Sequence, residues 1–194
     1  MLETTDRVRL LELARCSVAA GIGRQLPARP PQHAAASASL LEPCATFTTL
    51  KLEGELRGCC GTIEPRRPLI HDVWYNAWAS AYLDPRFPPV SAAELAALSY
   101  TISVLSPLEH VPARSEAELI AALKPGVDGL VLACGSARAT FLPAVWESLP
   151  EPREFLAHLW RKAGLPAGRS WSDVTALRYR TDTFSSAAGA ALAA

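Results

Sequence analysis

The sequence predicts an α+β domain with a mainly antiparallel sheet flanked by helices. Three observations lead there. Hydrophobic residues make up 49% of 194 residues, enough for a packed core of ordinary domain size. Runs of β-formers come in hairpin-like pairs, and segments with a three-to-four-residue apolar spacing lie between those pairs.

Taken in order, Asp6 is placed to cap a helix whose apolar face is Val8, Leu11, Ala14, Val18 and Ile22, ended by Gly21 and Gly23. Residues 26–39, with three prolines, read as a surface loop. Residues 45–52 and 55–63 form a β-hairpin with its turn near Gly54. A helix follows over 69–83, with Ile70, Val73, Trp74, Ala77 and Ala81 on its apolar face. Asp84-Pro85-Arg86-Phe87-Pro88-Pro89 is a stiff loop, because each proline fixes its own φ.

Ser91 to Glu94 and Ser115 to Glu118 have the form of capping boxes opening short helices. Strands are expected at 100–105, 129–134, 138–142 and 176–180. Pro152 opens a helix to about 163, and Gly164 closes it. Residues 5–184 are expected to form a single domain, followed by a flexible Ala-rich tail over 185–194.

The charge balance, 19 basic against 19 acidic residues, disfavours nucleic-acid binding, which draws on a basic surface. No apolar run approaches the roughly 18–20 residues that span a bilayer, and the start has no secretory pattern. Five scattered cysteines do not read as a disulfide framework, so a reducing, cytoplasmic location is expected. The four histidines, His33, His71, His110 and His158, lack zinc-motif spacing from one another and from the cysteines. No metal or other cofactor is predicted. There is no Walker loop, G-x-G-x-x-G or G-x-S-x-G.

Chemistry concentrates in Leu56-Arg57-Gly58-Cys59-Cys60-Gly61. In a regular strand Leu56, Gly58 and Cys60 share one face, while Arg57, Cys59 and Gly61 share the other. Arg57 then stands beside Cys59, where a guanidinium favours the thiolate. Gly58 and Gly61 admit a ligand close to the backbone, or a bulge that aims Cys59. The plainer reading makes both cysteines small core residues. Asp84 and Arg86 either hold their own loop by an ion pair or Asx turn, or present Arg86 to an anion. His71, near a helix start, reads first as a surface or capping residue, and Arg66 and Arg67 as solvated charges.

This hexapeptide resembles the LRGC-x-G signature of the AMMECR domain family, whose prokaryotic members are called AmmeMemoRadiSam system protein A. Asp84 to Val90, Gly126 to Leu130, Thr140 to Pro143 and Lys162 to Leu165 also resemble family segments, in the expected order. Cys60 departs from the usual isoleucine. The resemblance implies two unequal lobes with a cleft near the signature segment. It also implies a Memo-like protein and a radical S-adenosylmethionine protein as partners. On its strength Cys59, Arg57 and Asp84 become candidate catalytic residues, and Arg86, Gly58, Gly61, His71 and Asn76 candidate ligand-binding residues. The expectation is an enzyme or enzyme subunit that uses Cys59, with a non-catalytic ligand- or protein-binding module as the alternative.

Overall fold

A computed structural model describes residues 2–23, 37–166, 168 and 170–186. Most of the loop expected over 26–39, His33 and the tail beyond 186 therefore lie outside the described residues. In chain order the elements are α1 (Thr4–Ala20), α2 (Ala38–Leu41), β1 (Thr46–Leu52), β2 (Glu55–Gly61), α3 (Leu69–Tyr82), β3 (Leu98–Leu105) and β4 (Glu109–Val111). There follow α4 (Glu116–Ala122), β5 (Gly129–Cys134), β6 (Ala137–Phe141), α5 (Pro152–Lys162), β7 (Thr175–Tyr179) and β8 (Thr181–Ser185). The strands form two four-stranded sheets, ordered β2-β1-β3-β8 and β4-β7-β5-β6. The chain accordingly divides into two compact units, one from residues up to 105 together with those from 182 on, the other from Ser106–Thr181.

In the first unit, β1 pairs antiparallel with both β2 and β3. Glu53 and Gly54 both take positive φ, 53° and 88°, the two-residue turn whose twist suits a hairpin. Helix α3 buries Ile70, Val73, Trp74, Ala77 and Ala81, the face its apolar spacing marks. Helix α1 differs from expectation. Its buried stripe is Leu10, Leu13, Ala14, Ser17 and Val18, while Val8 is 51% exposed. The polar Ser17 belongs to the buried face because its hydroxyl donates to the Trp74 carbonyl at 2.6 Å. Nor does Asp6 cap this helix. It lies within the first turn, where its Oδ2 accepts the Ser37 and Ser39 hydroxyls at 2.7 and 2.9 Å.

Strand β8 had no sequence signal, since Thr-Asp-Thr-Phe-Ser lacks apolar alternation. It adds to β3 through polar contacts, the hydroxyl pairs Thr101–Ser185 at 2.8 Å and Ser103–Thr183 at 2.9 Å. Asp182 in this strand also receives both a backbone amide and the Arg7 guanidinium from the α1 end.

The second unit packs α4 and α5 with a core that includes Leu119, Leu130, Leu132, Phe155, Leu156 and Leu159. Trp146 stacks on Phe155 at 3.7 Å, and its indole donates to the Asp128 carbonyl at 2.7 Å. Pro152 sits in the first turn of α5, and Gly164 takes φ 68° just beyond its end. Three-residue β4 is too short to register as a periodic signal. No helix among the described residues is long and apolar enough to cross a membrane.

Asp72 is fully buried on α3, and its Oδ2 lies within hydrogen-bond distance of the Thr46 amide and hydroxyl, the Thr62 hydroxyl and the Asn76 amide nitrogen. Arg67 meets Oδ1 at 3.1 Å and lies 4.2 Å over the Tyr75 ring, so it is a partnered residue and not the solvated charge its sequence context suggests. Asp72→Ala removes the acceptor that these donors share. It is expected to lower unfolding free energy by about 3–5 kcal/mol, read from urea denaturation. His71→Ala, one residue away and exposed, should change it by less than about 0.5 kcal/mol.

Candidate functional site

Helix α3 carries a polar residue every four positions on an otherwise apolar face: Asp72, Asn76, Ser80, and Asp84 just past its end, all nine-tenths or more buried. A four-residue spacing stacks side chains along one side of a helix, and here that side is stitched to the β1–β2 hairpin. Asn76 donates to the Thr46 carbonyl at 3.0 Å. The Ser80 hydroxyl lies 2.7 Å from the carbonyls of Thr48 and Asn76 and accepts the Cys60 amide at 2.8 Å. Asp84 Oδ2 accepts the Cys59 amide at 2.9 Å.

The strand itself is irregular. Leu50 pairs with Gly58, whereas Lys51 pairs with Leu56, so Arg57 is an extra residue and β2 contains a bulge. Arg57 and Gly58 both turn to the buried face, while Cys59 lies opposite Thr49 on the other face. The expected neighbourhood of Arg57 and Cys59 is thus replaced. Arg57 instead grips Glu94, with Nε to Oε1 at 2.7 Å and Nη2 to Oε2 at 3.3 Å, and its buried Nη1 has no hydrogen-bond partner among the described residues. Glu94 Oε2 also accepts the Ser91 amide and hydroxyl, so the capping box anchors the bulge.

The glycines serve packing. A Cβ at Gly58 would fall 2.0 Å from the Ser80 carbonyl oxygen, and one at Gly61 2.3 Å from the Phe47 ring. The space expected for a ligand beside each is filled by the protein, and the bulge is the alternative that the strand adopts. Asn76 is likewise committed to the hairpin backbone. His71 is exposed and its ring makes no hydrogen bond with a described residue.

What remains assembled is Cys59, Cys60, Asp84 and Arg86. Asp84 accepts the Arg86 backbone amide, Nε and Nη2 at 3.1, 2.9 and 2.6 Å in addition to the Cys59 amide. The Arg86 pair and these amides hold its carboxyl down at about 2, against the opposing effect of burial. The loop thus holds itself by an ion pair and an Asx turn, and Asp84 is a fixed carboxylate. Its side chain is 3% exposed, that of Arg86 54%. Arg86 Nη1 makes no hydrogen bond with a described residue.

The Arg86 guanidinium lies close enough to both sulfurs that a thiolate at either favours its charge. The two thiols are unlike. Burial, and then the Asp84 charge, push Cys60 up to about 11. Cys59 Sγ receives the Thr49 hydroxyl at 3.4 Å on the face away from α3.

Sequence reasoning missed Asp72 and Ser80 as site-building residues and read Glu94 only as a cap. The signal was present in the 72-76-80-84 spacing, which is polar inside an apolar helix.

A fold of two antiparallel sheets with this bulged, ladder-bound hairpin defines a recognisable class. The family model AMMECR1 matches residues 11–184, and the chain belongs to that family. The crystal structure of an uncharacterized protein from Pyrococcus horikoshii, PH0010, superposes with a TM-score of 0.84 at 31% identity, covering 93% of this chain and 91% of that one. A protein of Thermofilum pendens is 35% identical over 179 residues, 84% of this chain and 81% of that protein. One from Methanothermobacter thermautotrophicus is 42% identical over 125 residues, 62% of this chain and 63% of that protein, so the match spans just under two thirds of its length.

Two outcomes follow from this geometry. Gly58→Ala should destabilise by about 2–3 kcal/mol, because strand and helix must separate, read as a lowered urea midpoint with unchanged slope. Asp84 and Glu94 are both held at about 2, below their ordinary 3.8 and 4.5; for Glu94 the Arg57 pair is the main cause. The unfolded chain then takes up protons first as pH falls. The stabilisation is complete above about pH 5 and is lost between there and pH 2, on the order of 2 kcal/mol for each group. Asp84→Asn and Glu94→Gln should each flatten the urea midpoint against pH across that window.

Proposed function

We propose that this chain is an enzyme or enzyme subunit in which Cys59 is the reacting thiol and Arg86 holds an anionic part of the substrate. The observation that carries the reading is the Asp84 carboxylate. By binding the Cys59 backbone amide and the Arg86 guanidinium together, it ties the strand that carries Cys59 to a half-exposed cation from a distant segment. The thiolate is the nucleophilic form of a cysteine. Asp84 is a positioning residue here, since four hydrogen bonds and a strongly acidic carboxyl leave it nothing to do as a proton carrier. Arg57 is also a positioning residue, acting through the bulge.

The family resemblance supports work alongside Memo-like and radical S-adenosylmethionine partners, in a reducing cytoplasm that keeps the thiol free. A non-catalytic binding module is the second reading. It is favoured by the commitment of Arg57, Asp84 and Asn76 to structure, which leaves none of the three to act as an acid or base for Cys59.

Iodoacetamide labelling of each cysteine in the native protein against pH, read by peptide mass spectrometry, separates the two. Cys59 should label at neutral pH while Cys60 stays unreactive until well above pH 9, and Arg86→Ala should slow Cys59 labelling about three- to tenfold. A Cys59 that stays silent until denaturation removes thiol chemistry and leaves the binding module.

A further inference from the structure

The second unit contains an aromatic groove that the Cys59 site does not use. It encloses about 280 Å³ and is lined by Glu116, Leu156, Ala157, Trp160, Gly168 and Trp171. Of the five tryptophans, Trp74, Trp78 and Trp146 are only 4–7% exposed, as packing residues are, whereas Trp160 and Trp171 are half-buried and border this space. Their rings sit 4.7 Å apart but inclined at 51°, so they form two walls of a corner instead of a stack. The Trp160 indole is tied to the Pro166 carbonyl at 3.1 Å, which fixes one wall. Glu116 is the charged residue among the described residues lining the groove, and its exposed carboxylate makes no hydrogen bond or ion pair with a described residue.

We infer that this groove is a binding site for an alkylated ammonium group. The electron-rich faces of two indoles attract a cation. The methyl groups of a substituted ammonium bury against Leu156 and Ala157, and Glu116 supplies the opposite charge. A carboxylate at the rim disfavours an anionic ligand, and the apolar walls disfavour a small, strongly hydrated metal ion. The group is shared by free quaternary amines and by the methylated lysine of a partner protein.

The test uses the whole chain and tryptophan fluorescence. Choline should quench saturably, and 3,3-dimethyl-1-butanol, its neutral isostere, should bind at least about tenfold more weakly. Glu116→Gln, an exposed substitution that leaves the fold intact, should weaken choline about three- to tenfold without affecting the alcohol. Trp171→Ala should abolish the response while far-ultraviolet dichroism is unchanged. A trimethyllysine peptide that binds more tightly than choline assigns the site to a protein partner, and equal affinity assigns it to a free amine. Equal binding of choline and the alcohol, or no saturable quench by choline or the peptide, overturns the inference. The Cys59 labelling result is independent of either outcome.

Discussion

The polar ladder on α3 is the constraint on which the first unit depends. Four buried side chains at residues 72, 76, 80 and 84 bind the backbone of β1 and β2 and, through Asp72, the Thr62 side chain beyond β2. Buried polar groups are costly unless satisfied, so each rung admits one position of the helix relative to the hairpin. Gly58 is the steric counterpart of the ladder, since only a residue without Cβ lets the Ser80 carbonyl come so close. The same rungs cover amides of β2, which is an edge strand and would otherwise present open hydrogen-bonding groups.

The last rung turns this structural device into a chemical one. Asp84 spends one hydrogen bond on the Cys59 amide and three on Arg86. A carboxylate so fully engaged is held ionised and immobile, and its value is geometric. The bulge contributes in the same way. By inserting Arg57 on the buried face it takes Arg57 away from the Cys59 side, while the regular alternation beyond it keeps Cys59 on the face opposite to Gly58 and Cys60. Two adjacent thiols thereby acquire different surroundings, with Cys60 facing Ser80 and Asp84 and held protonated, and Cys59 facing Thr49.

Much of this was legible in the sequence. The hairpin, its turn, the buried face of α3 and the start of α5 rest on local rules of period and capping, and those rules held. The hexapeptide lies on the second strand of the hairpin, as its pattern indicates, but its internal geometry differs from a regular strand. A strict period of two put Arg57 beside Cys59, and a bulge depends on what the neighbouring strand and helix demand, which no local pattern records. Strand β8 and the tiny β4 are held by pairing and not by apolar alternation, so they left no trace. The ladder was visible as a four-residue spacing, yet Asn76 and Asp84 were read singly. The apolar reading of α1 failed for a related reason, because Ser17 belongs to its buried stripe.

Amide hydrogen exchange at Cys59 and Cys60, followed by NMR in the native protein and in Asp84→Asn, tests the central claim most directly. Both amides should be protected in the native chain. The substitution should release Cys59 by about tenfold or more while Cys60, held by Ser80, stays protected. An unchanged Cys59 amide, or equal loss at both positions, would contradict the assignment of Asp84 as the group that fixes the Cys59 backbone.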